Sequence, residues 1–250
     1  MPEIDQSKYM VNAGWDHAPH LDEKQKQHML DSTHPHLRKA RSKGIPVLGS
    51  GAIYPVDEDE IIVRPFDIPD YWPRVFGLDV GWQRTAAVWG AHDRQADIIY
   101  LYSEHYRGQA EPSIHSSAIR LRGDWIPGVI DPSARQRGQK DGQALLNEYE
   151  REGLILYSAD NTVEAGLLAT YQRLSIGRLK VFHTLQNWLD EYRIYQRDED
   201  GKVVKKNDHL MDATRYLVMS GLQHAKHKPK SKAADDMVTH SGMGDSVTGY

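Results

Sequence analysis

The sequence predicts an α/β domain: a mixed β-sheet of three antiparallel strands followed by parallel strands, with helices packed on its faces. Three observations predict it. The runs RVFGLDVG, TAAVWGAHD and DIIYLYSEHYR follow one another across short links, Gly81–Arg84 and Asp93–Ala96, so neighbouring strands run antiparallel. Beyond Glu111 helix-like and strand-like stretches alternate, as they do where crossover helices join parallel strands. The composition, 39% apolar and 26% charged over 250 residues, is that of a globular chain large enough for one substantial domain with appendages.

Each element has a local reason. Residues 1–70 read as an N-terminal segment. HLDEKQKQHMLDSTHPHLRKARSKG is helix-like, with Leu21, Met29, Leu30 and Leu37 as sparse apolar positions and Gly44 as a stop. IPVLGSGAIYPVDEDEIIVRPF is rich in β-branched residues, Gly and Pro, which predicts short strands and turns. The proline-rich DIPDYWP marks a boundary near residue 70. Residues 71–223 hold the sheet. After its first three strands come a helix in EPSIHSSAIRLRG with Pro112 in the first turn, a strand in IPGVIDP and a helix in DGQALLNEYEREG. A strand in LILYSA, a helix in TVEAGLLATYQRLSIG, a strand in LKVF and a helix in TLQNWLDEYRIYQRD follow. EDGKVVKKND is a turn or small hairpin, and NDHLMDATRYLVMSGLQ is the closing helix. Residues 224–250 are polar and lack apolar periodicity, which predicts a flexible tail.

The composition also limits the chemistry. The chain has no cysteine, which excludes disulfides, thiolate zinc sites and cysteine nucleophiles. The N-terminus lacks a basic-then-apolar leader pattern, and no apolar run approaches the roughly 20 residues that span a bilayer. An intracellular protein without a membrane segment is expected. His17, His20, His34 and His36 match no common zinc spacing and read as surface groups.

The carboxylates are more informative. Asp79 stands inside the apolar run RVFGLDVGW, and Asp131 ends the strand in GVIDPSA. Each has an ordinary reading as a turn or cap residue. As neighbours at strand ends they would repel each other unless a cation lay between them. NDHLMDATRY adds Asp208 and Asp212 at i, i+4, on one helix face that Arg215 and Met219 extend. Asp208 reads equally as an N-cap or a ligand, and an Asp212–Arg215 pair in solvent is the plain alternative for Asp212. His209 sits at the edge of that face. Three carboxylates from two strands and a helix make an oxygen-rich site suited to Mg²⁺ or Mn²⁺, and two such ions support phosphodiester hydrolysis with no protein nucleophile.

At RVFGLDVGW, GVIDPSA and NDHLMDATRY, taken in this order and spacing, the chain resembles the nuclease domain of the terminase large subunit of tailed bacteriophages. The segment GWDHAPHL through HPHLRKARSKGIPVLGSGAIYP resembles that family's junction between ATPase and nuclease, so the likeness covers roughly residues 12–222. The resemblance implies an RNase H-like fold and metal-dependent endonucleolytic cutting of concatemeric viral DNA during genome packaging. It implies Asp79, Asp131 and Asp212 as catalytic metal ligands for two Mg²⁺ or Mn²⁺ ions. Asp208 would be a further ligand and His209 an accessory group. It implies double-stranded DNA, an ATPase motor, the small terminase subunit and the portal protein as partners, in the cytoplasm of an infected bacterium.

A full large terminase also carries a motor, but no G-x-x-x-x-G-K-[ST] loop occurs here. No ATPase activity is expected of this chain; the nuclease stands apart, or the motor lies on another polypeptide. For DNA contact, Arg135, Arg137 and Lys140 follow Asp131 directly, and Lys202, Lys205 and Lys206 precede the acidic helix. Trp82 is expected to pack in the core or at its rim. Three other readings compete. Gly77–Gly81 resembles a phosphate loop of sugar kinases and actin-like ATPases, but no second such loop follows. A junction resolvase would use the same metal chemistry. A non-catalytic DNA- or portal-binding module would use the aspartates only for folding.

Overall fold

The structure, a computed structural model, describes Trp15, residues 21–31, Ser42, and residues 51–132 and 142–229. Seven strands form one sheet: β1 (Ile62–Val63), β2 (Arg74–Asp79), β3 (Thr85–Asp93), β4 (Ile98–Arg107), β5 (Gly128–Ile130), β6 (Leu156–Ser158) and β7 (Leu179–Phe182). Their spatial order is β1-β7-β4-β3-β2-β5-β6. The β2–β3 and β3–β4 pairs are antiparallel, and β5, β6, β7 and β1 join in parallel, as the sequence predicts. The β3–β4 link is a tight turn because the Asp93 carboxylate accepts from the Gln95 and Ala96 N–H groups and Asp97 takes a positive φ of 52°.

Seven helices are described: α1 (Glu23–Asp31), α2 (Glu58–Ile61), α3 (Pro112–Arg120), α4 (Gly142–Arg151), α5 (Val163–Ser175), α6 (Gln186–Ile194) and α7 (His209–Tyr216). Helices α2 to α7 cover two faces of the sheet. Ile119 of α3 and Leu146 and Tyr149 of α4 pack with Phe76, Leu78 and Trp89. On the other face, Leu167 and Leu174 of α5, Trp188 and Leu189 of α6, and Leu210 and Leu217 pack with Val75, Val88 and Leu101. The chain beyond α7 continues as a π-helical turn, Leu217–Gly221. Among the described residues no helix is long and apolar enough to cross a membrane.

Three local features go beyond the sequence reading. Residues 51–63 join the domain core: Tyr54 and Ile61 are buried, and β1 pairs with β7. A one-turn helix, α2, replaces part of the expected strand-and-turn stretch. Asp57 caps it by accepting from the Asp59 N–H, and Glu58, Asp59 and Glu60 suit the positive end of a helix. The first residues of the expected tail are docked: His224 stacks on Tyr157 at 3.8 Å, Lys226 bridges to the backbone of Arg74, and Lys228 pairs with Asp70. The helix expected to run to Gly44 is described over Glu23–Asp31. His17, His20, His34, His36 and residues 230–250 lie outside the described residues.

Gly77 explains the tight seat of α7. A Cβ there would lie 1.9 Å from the Ala213 carbonyl oxygen. The glycine of GLDVG therefore serves close helix–strand approach, a sufficient reason for its presence without any phosphate. Gly77→Ala is expected to lift α7 from β2 and cost about 3 kcal/mol of stability, at the upper end for overpacking. Urea denaturation checks it: a midpoint equal to wild type would mean that α7 does not need this contact.

Candidate metal centre

Side-chain alternation decides where the strand-end carboxylates point. On β2, Phe76 and Leu78 enter the α3/α4 side, whereas Val75 and Gly77 lie under the α7 side. Asp79 continues the α7 side. On β5, Ile130 joins the α3/α4 cluster while Val129 packs with Ala159 and Tyr216, so Asp131 falls on the same side as Asp79. The parallel register pairs Leu78 with Ile130, which sets Asp79 and Asp131 level at the carboxyl ends of adjacent strands.

Helix α7 supplies the rest. His209 Nδ1 lies 2.9 Å from Asp79 Oδ2. Asp212 accepts from Arg215 Nη2 at 3.0 Å and from Lys205 Nζ at 3.1 Å. Asp208 occupies the N-cap position, yet its side chain makes no capping bond. It is 7% exposed, and its Oδ2 lies 3.3 Å from Lys205 Nζ without a hydrogen bond of good geometry. The cap comes from another helix. The buried Glu191 carboxylate accepts from the backbone N–H of Leu210 at 2.6 Å and of Met211 at 3.3 Å, and from the Tyr106 hydroxyl at 2.7 Å. Sequence reasoning missed Glu191. Its signal was spacing: it shares a helical stripe with Trp188, Tyr192 and Tyr195, all buried.

Arg215 is not on a solvent face, as its place in the helix first implies; it is 1% exposed. Gly166 on α5 makes the room, since a Cβ there would lie 2.4 Å from Arg215 Cγ. The guanidinium also lies 4.7 Å from the Tyr216 ring centre. The Asp212–Arg215 pair is thus an enclosed one.

Electrostatics tie these groups together. Burial raises the Asp79 pKa, the charges of Asp212 and Asp131 raise it further, and the His209 hydrogen bond works against both. Hydrogen bonding to Asp79 raises the His209 pKa in turn. Burial opposes the Lys205 ammonium, but attraction to Asp212 and Asp208 outweighs it and its pKa is raised. Among the described residues no three His, Asp or Glu side chains stand as a ready-made metal cage. Asp79 and Asp212 are instead held by His209, Arg215 and Lys205. The donor set still fits a hard divalent cation: all-oxygen carboxylates, mutually repelling, with one buried Asp208 oxygen lacking a hydrogen-bond partner.

Of the basic residues singled out for DNA, Lys202 and Lys206 are exposed beside the Arg197–Val203 bridge, whereas Lys205 is engaged by the carboxylates. Arg135, Arg137 and Lys140 lie outside the described residues. Trp82, expected at the core or its rim, is 62% exposed. The tight 81–84 turn carries it past the end of β2, and the core is closed there by Val80.

A β2–β3–β4 antiparallel unit flanked by parallel strands, with carboxylates at the ends of adjacent strands, defines an RNase H-like fold of the nuclease type. The chain belongs to the terminase RNaseH-like domain family, whose model matches residues 77–220. It is 31% identical over 240 residues to the terminase large subunit of Salmonella phage P22, a match covering 90% of this chain and 48% of that protein. The chain spans about half the length of the curated relatives it matches. Its fold is similar to the P22 large terminase nuclease domain, with a TM-score of 0.67 and 30% identity over 72% of this chain and 96% of that one. It is also similar to the nuclease domain of the bacteriophage SPP1 large terminase, solved with bound Mn, with a TM-score of 0.50 and 19% identity over 64% of this chain and 96% of that one.

Proposed function

We propose that this chain is a divalent-metal-dependent endodeoxyribonuclease that cuts concatemeric viral DNA during genome packaging. One observation carries the reading: Asp79 and Asp131 end adjacent parallel strands on one side of the sheet, within electrostatic reach of Asp212 on α7. Asp79, Asp131 and Asp212 would hold two Mg²⁺ or Mn²⁺ ions, with Asp208 as a further oxygen donor. Bound there, the ions would supply activation of a water and neutralisation of the leaving oxygen. His209 would fix the orientation of the Asp79 carboxylate through the hydrogen bond at 2.9 Å. Arg215 would hold Asp212 in the same way. Lys205, beside Lys202 and Lys206, would offer positive charge to a DNA phosphate near the carboxylates. Family membership and the manganese-bound SPP1 relative support this reading.

The partners follow from the same reading: double-stranded DNA, an ATPase motor, the small subunit and the portal, in the cytoplasm of the infected host. Contacts to phosphates carry no sequence information, so cutting is expected with little sequence preference. The test is nicking of supercoiled plasmid with Mn²⁺ or Mg²⁺. Wild type is expected to nick, and Asp79→Asn and Asp212→Asn to lose at least about a hundredfold in rate, the scale at which electrostatic stabilisation is lost. Equal nicking by wild type and variants would defeat the proposal.

A further inference from the structure

A cavity of about 380 Å³ opens at the carboxyl ends of β2 and β5, and Asp131 lines it. Most of its walls belong to the α3/α4 side of the sheet, and Asp131, just past the end of β5, is shared with the carboxylate centre. Val80, Pro112 and Leu145 form apolar walls, and the buried Tyr149 contributes the floor. Trp82 stands at its mouth, 62% exposed. Its turn is firmly held. The Gln109 N–H donates to the Trp82 carbonyl at 2.9 Å, and the Thr85 hydroxyl donates to the Gly81 carbonyl at 3.1 Å. Gly108 packs so closely that a Cβ there would lie 2.0 Å from the Gln83 carbonyl oxygen. The backbone of the turn is held while the indole is left in solvent, unlike the enclosed Trp89 and Trp188.

The chemistry of the lining narrows the occupant. Asp131, Glu111 and Glu148 give the described lining an acidic character, which suits a group with N–H donors better than an anion. Apolar walls, an exposed indole face and carboxylate acceptors suit a flat, neutral group with N–H donors. A volume of this size is within the range of small-ligand pockets. We propose that this cavity is a nucleobase subsite, in which Trp82 stacks on a base adjoining the phosphate that divalent ions would hold at the carboxylates. The inference rests on the nuclease reading, because DNA bound at Asp131 is what brings a base to the cavity. In a duplex the base must leave the helical stack, which is least costly at a frayed or single-stranded site. Trp82 and the cavity thus direct the centre toward opened DNA.

Binding tests this without cleavage. The full chain, with Ca²⁺ and without Mg²⁺ or Mn²⁺, is titrated with a labelled oligothymidylate and with an abasic strand of equal length. Wild type is expected to hold the oligothymidylate about tenfold more tightly, the scale of one base stacked on an aromatic side chain. Trp82→Ala is expected to erase that difference and Trp82→Phe to keep most of it. Ala110→Phe, which fills the cavity while leaving the indole, is expected to reduce it; equal melting temperatures exclude misfolding. If wild type binds both strands equally, or if Trp82→Ala retains the full difference, the subsite is refuted. Loss of the nuclease reading shows separately, as plasmid left uncut by wild type with Mn²⁺.

Discussion

In metal-free buffer, Asp79→Asn is expected to stabilise the protein and Asp212→Ala to destabilise it, although both remove a proposed ligand. The two carboxylates differ in what surrounds them. Asp79 is enclosed, and both burial and the Asp212 and Asp131 charges raise its pKa. For an acid, a raised native pKa means that the folded state holds the proton more tightly than the unfolded chain. Its contribution is therefore most favourable at low pH and falls as pH rises through the native pKa. Asparagine removes that fall while keeping the side chain's size and an acceptor for His209. Asp212 instead neutralises Arg215, whose side chain is 2% exposed, and shares Lys205. Removing one partner of an enclosed ion pair strands the other, at about 3 kcal/mol. Thermal melts with a chelator from acid to neutral pH check both arms. The Asp79→Asn curve should lose part of the decline with rising pH. If both variants are stabilised alike, repulsion dominates the site and the Arg215 pair counts for little.

Glu191→Ala is expected to cost about 3 kcal/mol or more, because it leaves the Leu210 and Met211 N–H groups and the Tyr106 hydroxyl without their acceptor. The same change is expected to abolish plasmid nicking, although Glu191 touches no proposed ligand. Asp208 stands at the N-cap of α7 and His209 and Asp212 in its first turn, and Glu191 fixes the direction in which that turn begins. Glu191→Gln keeps a carbonyl acceptor for the N–H groups and is expected to retain most of the stability and activity. Denaturant melts and nicking on the same preparations separate the cases. An alanine variant that melts and cuts like wild type would remove Glu191 from the positioning of the site.

Much of the architecture was legible because it depends on short-range pattern. The brief links around Gly81 and Asp93 require antiparallel neighbours, and the alternation after Glu111 requires parallel ones; both appear in the sheet. The acidic motif was legible because i, i+4 spacing fixes a helix face. Arg215 was misjudged because its burial depends on Gly166, nearly fifty positions away, and no local periodicity records a vacancy on another helix. Trp82 was misjudged for the converse reason: aromatic character favours the core, but the turn after β2 leaves no core to enter.

The sequence alone determined the class of the sheet, the strand-end positions of Asp79 and Asp131, and the shared helix face of Asp208 and Asp212. These follow from periodicity and chain connectivity, which act over a few residues. Only the tertiary structure decided that Leu78 pairs with Ile130, and so that Asp79 and Asp131 are level on one side of the sheet. Only there does Gly77 admit α7, Glu191 cap it and Lys205 reach its carboxylates. Those contacts join residues distant in the chain, and their energies depend on burial and on the mutual charge of groups that meet only after folding.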